Sequence, residues 1–164
     1  MYKGIIRIGI LGCSDIAMRK FIPAVKKCRY AMLGGVASRS EKKAKCWARR
    51  LNLKPYSYNG ILEAPDIDMV YISLPNSMHE EWSVKAFENG KHVLCEKPLS
   101  LNLKSVKEII RSAERHKRYL FEGIMHLHHP QHFEVKKFLK DGKKGKPVIF
   151  RSSFGFNLEI PENF

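Results

Sequence analysis

Short apolar runs alternate with amphipathic stretches along this chain, and that alternation constrains its fold more than any single motif. Residues 5–11, 32–37, 68–73, 92–95 and 119–123 read as buried strands. Between them, apolar residues recur at helical spacing. One helical stretch runs to about Cys28, and another spans residues 42–51, with Ala44, Trp47, Ala48 and Leu51 on one face. Residues 80–88 are helical and stop at Asn89-Gly90; residues 103–116 are helical as well. A repeated strand–helix series requires crossover connections, hence parallel strands with helices on both faces. The expected fold class is α/β, a doubly wound parallel sheet. Pro23, inside the first helical stretch, predicts a kink or a break into two short helices. Beyond the last of these strands, residues 134–139 open a further helix ending at Asp141-Gly142, and residues 147–157 look strand-like, with several aromatics.

The chain has 164 residues, 44% of them hydrophobic and 28% charged, enough to build the core of one domain. No run of about 18 apolar residues suggests a membrane span. The glycine turn and aspartate arrive before any signal-peptide core is complete, so a cytoplasmic location is expected. Cys13, Cys28, Cys46 and Cys95 form no C-x-x-C pair, which predicts reduced, mostly buried thiols rather than disulfides or a zinc site. The net charge of +14 favours anionic partners: nucleotides, phosphorylated or acidic substrates, or nucleic acid. The lysines are scattered in pairs such as Lys26-Lys27, Lys42-Lys43 and Lys143-Lys144, with no RRM, KH or C2H2 signature. A generally basic surface is therefore expected, without nucleic-acid or membrane partners.

In a doubly wound sheet, ligands sit beyond the carboxyl ends of the strands. The first such end reads "GILGCSDIA". Against the G-x-G-x-x-G/A dinucleotide pattern it supplies Gly12, Cys13, Ser14, Asp15, Ile16 and Ala17, with Ser14 in place of the middle glycine. Gly12 permits the tight corner, and N–H groups at the helix start face an anion. The Ser14 hydroxyl is able to donate to a phosphate oxygen, and Asp15 suits an anion site only if it turns away to cap the helix. The other reading is a strand and a helix that merely meet at a glycine. At the second strand end, Ser38 and Arg39 replace the acidic residue that holds an NAD ribose, with Lys42 and Lys43 beyond. That charge favours NADP, with NAD as the alternative cofactor and a solvated turn as the bland reading. The remaining ends carry Leu74-Pro75-Asn76 with His79, then Glu96-Lys97-Pro98, then Glu122-Gly123. A lysine at Lys97 can exchange a proton if burial or a cation depresses its pKa; taken alone, it is a surface lysine in a turn. His126, His128, His129 and His132 match no common zinc spacing, and Pro130 breaks a regular helix through them, so no native metal is expected.

The segments "GILGCSDIA", "VASRSEKKA", "DIDMVYISLPNSMH", "AFENGKHVLCEKPLS" and "HHPQHFEVKKFLKDGKKGKPV" occur in one order and at one set of spacings. Together they resemble the N-terminal half of the Gfo/Idh/MocA oxidoreductases, NAD(P)-dependent dehydrogenases acting mostly on sugars, nucleotide sugars and cyclitols. The resemblance implies a Rossmann-type domain over residues 1–123 and the start of a second, α/β domain over 124–164. It implies that the turn from Gly12 to Ala17 binds the pyrophosphate and that Ser38 and Arg39 contact the adenosine ribose or its phosphate. Leu74, Pro75, Asn76 and His79 would line the dinucleotide cleft. Glu96, Lys97 and Pro98 would lie by the nicotinamide, with Lys97 assisting proton transfer at the substrate hydroxyl. Glu122 would line the cofactor cleft and His129 the substrate cleft. Relatives complete the catalytic group from an open antiparallel sheet, and "GKPVIFRSSFGFNLEIPENF" looks like its first strand, cut off at Phe164. Two outcomes are therefore expected. One is hydride transfer between NADP or NAD and a sugar-type carbon; the other is a catalytically incomplete cofactor-binding or regulatory module. Pairing with a second copy is open to either.

Overall fold

The computed structural model describes residues 4–141, 145–153 and 155. The chain divides into two compact units, Met1–Ile124 and Met125–Phe164.

In the first unit the elements run in order as β1 (Ile6–Leu11), α1 (Ile22–Lys27), β2 (Ala31–Ala37), α2 (Glu41–Leu51), β3 (Lys54–Tyr56) and α3 (Tyr58–Glu63). They continue as β4 (Met69–Ile72), α4 (His79–Glu88), β5 (His92–Cys95), α5 (Leu103–Arg115) and β6 (Leu120–Glu122). The sheet has six strands in the order β3-β2-β1-β4-β5-β6, and every neighbouring pair is parallel. The fold is a Rossmann-type doubly wound α/β sheet, as the alternation predicts. Strand order reverses between β1 and β4, and there a crevice opens at the carboxyl ends.

The two-residue period of the strands builds the core on both faces. Leu11, Ile72 and Cys95 pack on one face with Phe87 of α4 and Ile109 of α5. Their neighbours Ile10 and Tyr71 pack on the other with Ile22 and Val25 of α1 and Ala48 of α2. Each large aliphatic side chain buried this way contributes about 2 kcal/mol. At the opposite end of the sheet, Lys91 is 7% exposed and its Nζ donates to Ala64 O at 2.6 Å and Ile67 O at 2.8 Å. Burial pulls its pKa down, and the two carbonyls hold the ammonium in place.

Several expectations need correction. The break at Pro23 is a π-helical turn over Ala17–Phe21 that leads into α1. Proline lacks an N–H and crowds the carbonyl four residues back, and the widened turn relieves both. β3 and α3 went unpredicted. β3 is three residues with Pro55 at its centre, tolerable only because it pairs with β2 alone at the sheet margin. α4 begins at His79 rather than at residue 80. Of the four thiols, which are all free, only Cys95 is buried; Cys13 is intermediate, and Cys28 and Cys46 are exposed. Burial pushes the Cys95 thiol up to about 12.

The second unit holds a 3-10 turn, Met125–His128, and α6 (Pro130–Lys140). Proline is favoured in the first helical turn, so Pro130 starts the helix that was expected to open at residue 134. The strand expected over 147–157 is not formed by residues 147–153 or 155; residues 154, 156 and 157 lie outside the described residues. Among the described residues, no helix is long and apolar enough to cross a membrane, and no three His, Cys, Asp or Glu side chains are grouped to hold a metal ion.

Candidate functional site

Five strand ends converge on the crevice, and backbone hydrogen bonds register them against one another. Gly12 N–H donates to Ala37 O at 3.1 Å, tying the turn to β2. Ser73 N–H donates to Leu11 O at 3.0 Å and Ser73 Oγ donates to Gly12 O at 3.0 Å, tying it to β4. Gly12 has φ +110, and a Cβ there would lie 3.0 Å from Leu74 Cδ2 and 3.1 Å from Ser73 O. Conformation and space both demand glycine at this corner. The bare Cα lets β1 turn closely against the end of β4 into the helix that follows, whose first N–H groups are the ones able to meet an anion.

Beyond the corner, Ser14 Oγ accepts from Ala17 N–H at 3.2 Å. The serine in the middle-glycine position thus caps the helix, and its hydroxyl hydrogen is left to donate outward. Asp15 does not cap. Its Oδ2 accepts from Arg19 Nε at 2.7 Å and also pairs with the Arg19 terminal nitrogen. An arginine one turn on is a better partner than an N–H already taken by Ser14, and it offsets the carboxylate charge that would oppose an anion. Ala17 is fully buried, small enough for the helix to pack close on the sheet. Ile16 is half-buried. Cys13 is half-buried too, and burial raises its thiol pKa despite Lys43 and Ser38 nearby.

At the end of β2, Ser38 Oγ accepts from Ser40 N–H at 3.2 Å, shaping the turn that presents the exposed Arg39. A cleft of about 350 Å³ opens here, lined by Ser38, Arg39, Glu41, Ala44 and Lys45, with Pro55, Tyr56 and Ser57 opposite. The last three were missed from sequence because β3 itself was missed; a strand this short with a central proline leaves no periodic signal.

At the end of β4, Leu74 is buried while Pro75 and Asn76 are exposed at the crevice. His79 was expected to line the cleft, but it is fully buried, with Nδ1 2.9 Å from Pro98 O and Nε2 2.9 Å from Leu74 O. Each ring nitrogen faces a backbone carbonyl, so His79 lies beneath the cleft, between the β4 and β5 loops. Helical geometry puts it there: it opens α4, directly under both loops.

At the end of β5, Lys97 and Pro98 are exposed, joined by a cis peptide. Glu96 is half-buried, and its Oε1 accepts from the Tyr71 hydroxyl at 2.5 Å. Glu122, at the end of β6, accepts from Leu99 N–H at 2.8 Å, and Gly123 N–H donates to Cys95 O at 2.7 Å. Both carboxylates thus brace the loop that offers Lys97, and Lys97 projects from it. His129 lies in the second unit, where its Nδ1 accepts from Gln131 N–H at 3.2 Å and caps α6.

The arrangement has a tight glycine corner leading into a helix start at the switch point, a cleft bearing Arg39 and the Glu41–Lys45 pair to one side and an exposed lysine on a braced loop to the other. Such a site holds an elongated, negatively charged ligand across the strand ends and offers an ammonium at one extremity.

Comparison with known proteins agrees with this geometry. The model of the Gfo/Idh/MocA oxidoreductase family, with its NAD-binding Rossmann fold, matches residues 6–124. A dTDP-3,4-didehydro-2,6-dideoxy-alpha-D-glucose 3-reductase of Actinomadura kijaniata is 38% identical over 150 residues, which is 91% of this chain and 45% of that protein. An NADP-dependent D-xylose 1-dehydrogenase of Haloferax volcanii is 34% identical over 152 residues, 92% of this chain and 46% of the relative. Among solved structures, the open conformation of KijD10, a 3-ketoreductase from Actinomadura kijaniata in complex with TDP-benzene and NADP, superposes with a TM-score of 0.79 at 38% identity. It matches 85% of this chain and 45% of KijD10. The chain spans about half the length of the curated relatives it matches.

Proposed function

The chain belongs to the Gfo/Idh/MocA oxidoreductase family, and on that premise we propose that its Rossmann unit binds NADP and serves hydride transfer to or from a sugar-type carbon. The observation that carries the reading is the Gly12 corner, where positive φ, close packing against Ser73 and Leu74 and bonds to two neighbouring strands turn β1 tightly into a helix start at the switch point. The corner from Gly12 to Ala17 seats the pyrophosphate, with the Ser14 hydroxyl donating to it. Arg39 and Ser38 take the 2′-phosphate; the nearby Glu41 carboxylate is offset by its pairing with Lys45, so NADP is preferred to NAD. Leu74, Pro75 and Asn76 form the wall beside the riboses.

Bound NADPH supplies the hydride. In the reductive direction Lys97 donates a proton to the carbonyl oxygen as the carbon is reduced, giving a neutral hydroxyl; in the oxidative direction its amine takes a proton back. Glu96 and Glu122 brace the loop so that the ammonium reaches the reacting oxygen. The relatives that reduce a dTDP-linked keto sugar support a nucleotide-linked keto sugar as the substrate, its anionic diphosphate suiting a basic protein.

The test is a fluorescence titration with NADPH and NADH, followed by assay with a dTDP-linked 3-keto sugar. NADPH is expected to bind more tightly than NADH, and Arg39→Ala to narrow the difference by about tenfold, the worth of a charge-assisted contact. Lys97→Ala is expected to keep cofactor affinity and to lose turnover. Turnover unchanged by Lys97→Ala refutes the proton-transfer role. Cofactor binding with no turnover in the unaltered chain identifies a binding module instead.

A further inference from the structure

We propose that Tyr71 is a positioning residue for the nicotinamide end of the cofactor, acting through Glu96. The inference rests on the NADP reading above and assigns a role to a side chain that never reaches the ligand. Tyr71 lies in β4, on the face covered by α1, and is 1% exposed. Its ring stacks on Phe21 at 3.7 Å between centroids, with 12° between planes. Phe21 ends the π-helical turn that follows the Gly12 corner. The stack fixes the ring, and with it the direction of the hydroxyl, which donates to Glu96 Oε1 at 2.5 Å.

Glu96 is bounded on its other side as well. Gly123 has no side chain, and a Cβ there would lie 3.3 Å from Glu96 Oε2. The carboxylate therefore occupies a slot with Tyr71 on one oxygen and the bare Gly123 Cα near the other. Swinging Glu96 out of the slot would strand a buried hydroxyl without a partner, so the carboxylate stays. Burial, and then the Glu96 charge, push the Tyr71 phenol well up, so it remains a donor throughout the working pH range. Lys97 is the next residue, and the course of its backbone follows from how Glu96 is held. A tyrosine kept only to fill the core would be replaceable by phenylalanine without consequence, because the stack and nearly all the volume survive.

Tyr71→Phe therefore separates the two roles. Affinities are measured by fluorescence for NADPH and by competition for 2′-phospho-ADP-ribose, which has every part of the cofactor except the nicotinamide. In Tyr71→Phe, NADPH affinity is expected to fall several-fold, because a loosened Glu96 loop must be ordered when the nicotinamide binds, with 2′-phospho-ADP-ribose unchanged. Glu96→Asp draws the carboxylate back by one methylene without touching the core, and is expected to produce the same selective loss. Unchanged NADPH affinity in either variant overturns the proposal, and so does an equal loss for both ligands. If the unaltered chain takes neither ligand, the cofactor reading falls and this inference falls with it.

Discussion

At the scale of single residues, the site depends on side chains whose work is done out of contact with any ligand. His79 grips the carbonyls of Leu74 and Pro98 from beneath, five residues back and nineteen residues on. His79→Ala would remove the ring N–H from these carbonyls and leave a cavity at a fully buried position, at about 2–4 kcal/mol together. We expect urea unfolding to show a loss of at least about 2 kcal/mol. Hydrogen exchange should quicken first in the loops 74–78 and 96–99; protection lost evenly across the sheet would refute the local role. None of this was legible in the sequence, where a histidine after Pro75-Asn76 reads as a cleft residue because its partners are set by the tertiary fold. Gly12, by contrast, was legible, since a glycine at a strand-to-helix corner has few other reasons to be there. The Ser14 cap was half legible: the small polar residue was noticed, but the capping was assigned to Asp15, which Arg19 claims instead.

At the scale of elements, periodicity identified the strands that are apolar on both faces and the helices with a long apolar stripe. It failed where an element is held by its neighbours rather than by its own pattern. β3 is fixed by pairing Gly35, Val36 and Ala37 with Lys54, Pro55 and Tyr56, and α3 by dropping Ile61 and Leu62 into the core. Helix starts were legible where a short polar residue precedes the apolar stripe. α2 is such a case: Ser40 Oγ accepts from Lys43 N–H at 3.3 Å, and Glu41 and Lys45 pair along its first turn. Ser40→Ala is expected to cost about 1 kcal/mol, measured as a shift in the urea midpoint with unchanged slope. The turn that presents Arg39 is closed by the Ser40 backbone N–H donating to Ser38 Oγ, which the variant keeps, so its preference for NADPH over NADH should match that of the unaltered chain. A changed cofactor preference alongside the midpoint shift would refute the confinement of the Ser40 hydroxyl to stability.

At the scale of the whole molecule, the charge is the dominant physical property. A net charge of +14 surrounds a site proposed to take a ligand carrying several negative charges. Long-range attraction of that kind is screened within about 8 Å at physiological ionic strength. The NADPH dissociation constant is accordingly expected to rise several-fold between about 0.05 and 0.5 M sodium chloride, with most of the change in the association rate. An affinity indifferent to salt would mean that local contacts alone hold the cofactor. The sheet's two margins also differ in consequence. Along β3 the outermost strand is three residues long, and its central position, Pro55, carries no amide hydrogen. A foreign strand approaching that side finds a template too short to zip onto, so the protein is shielded there from the edge-to-edge stacking that seeds fibrils.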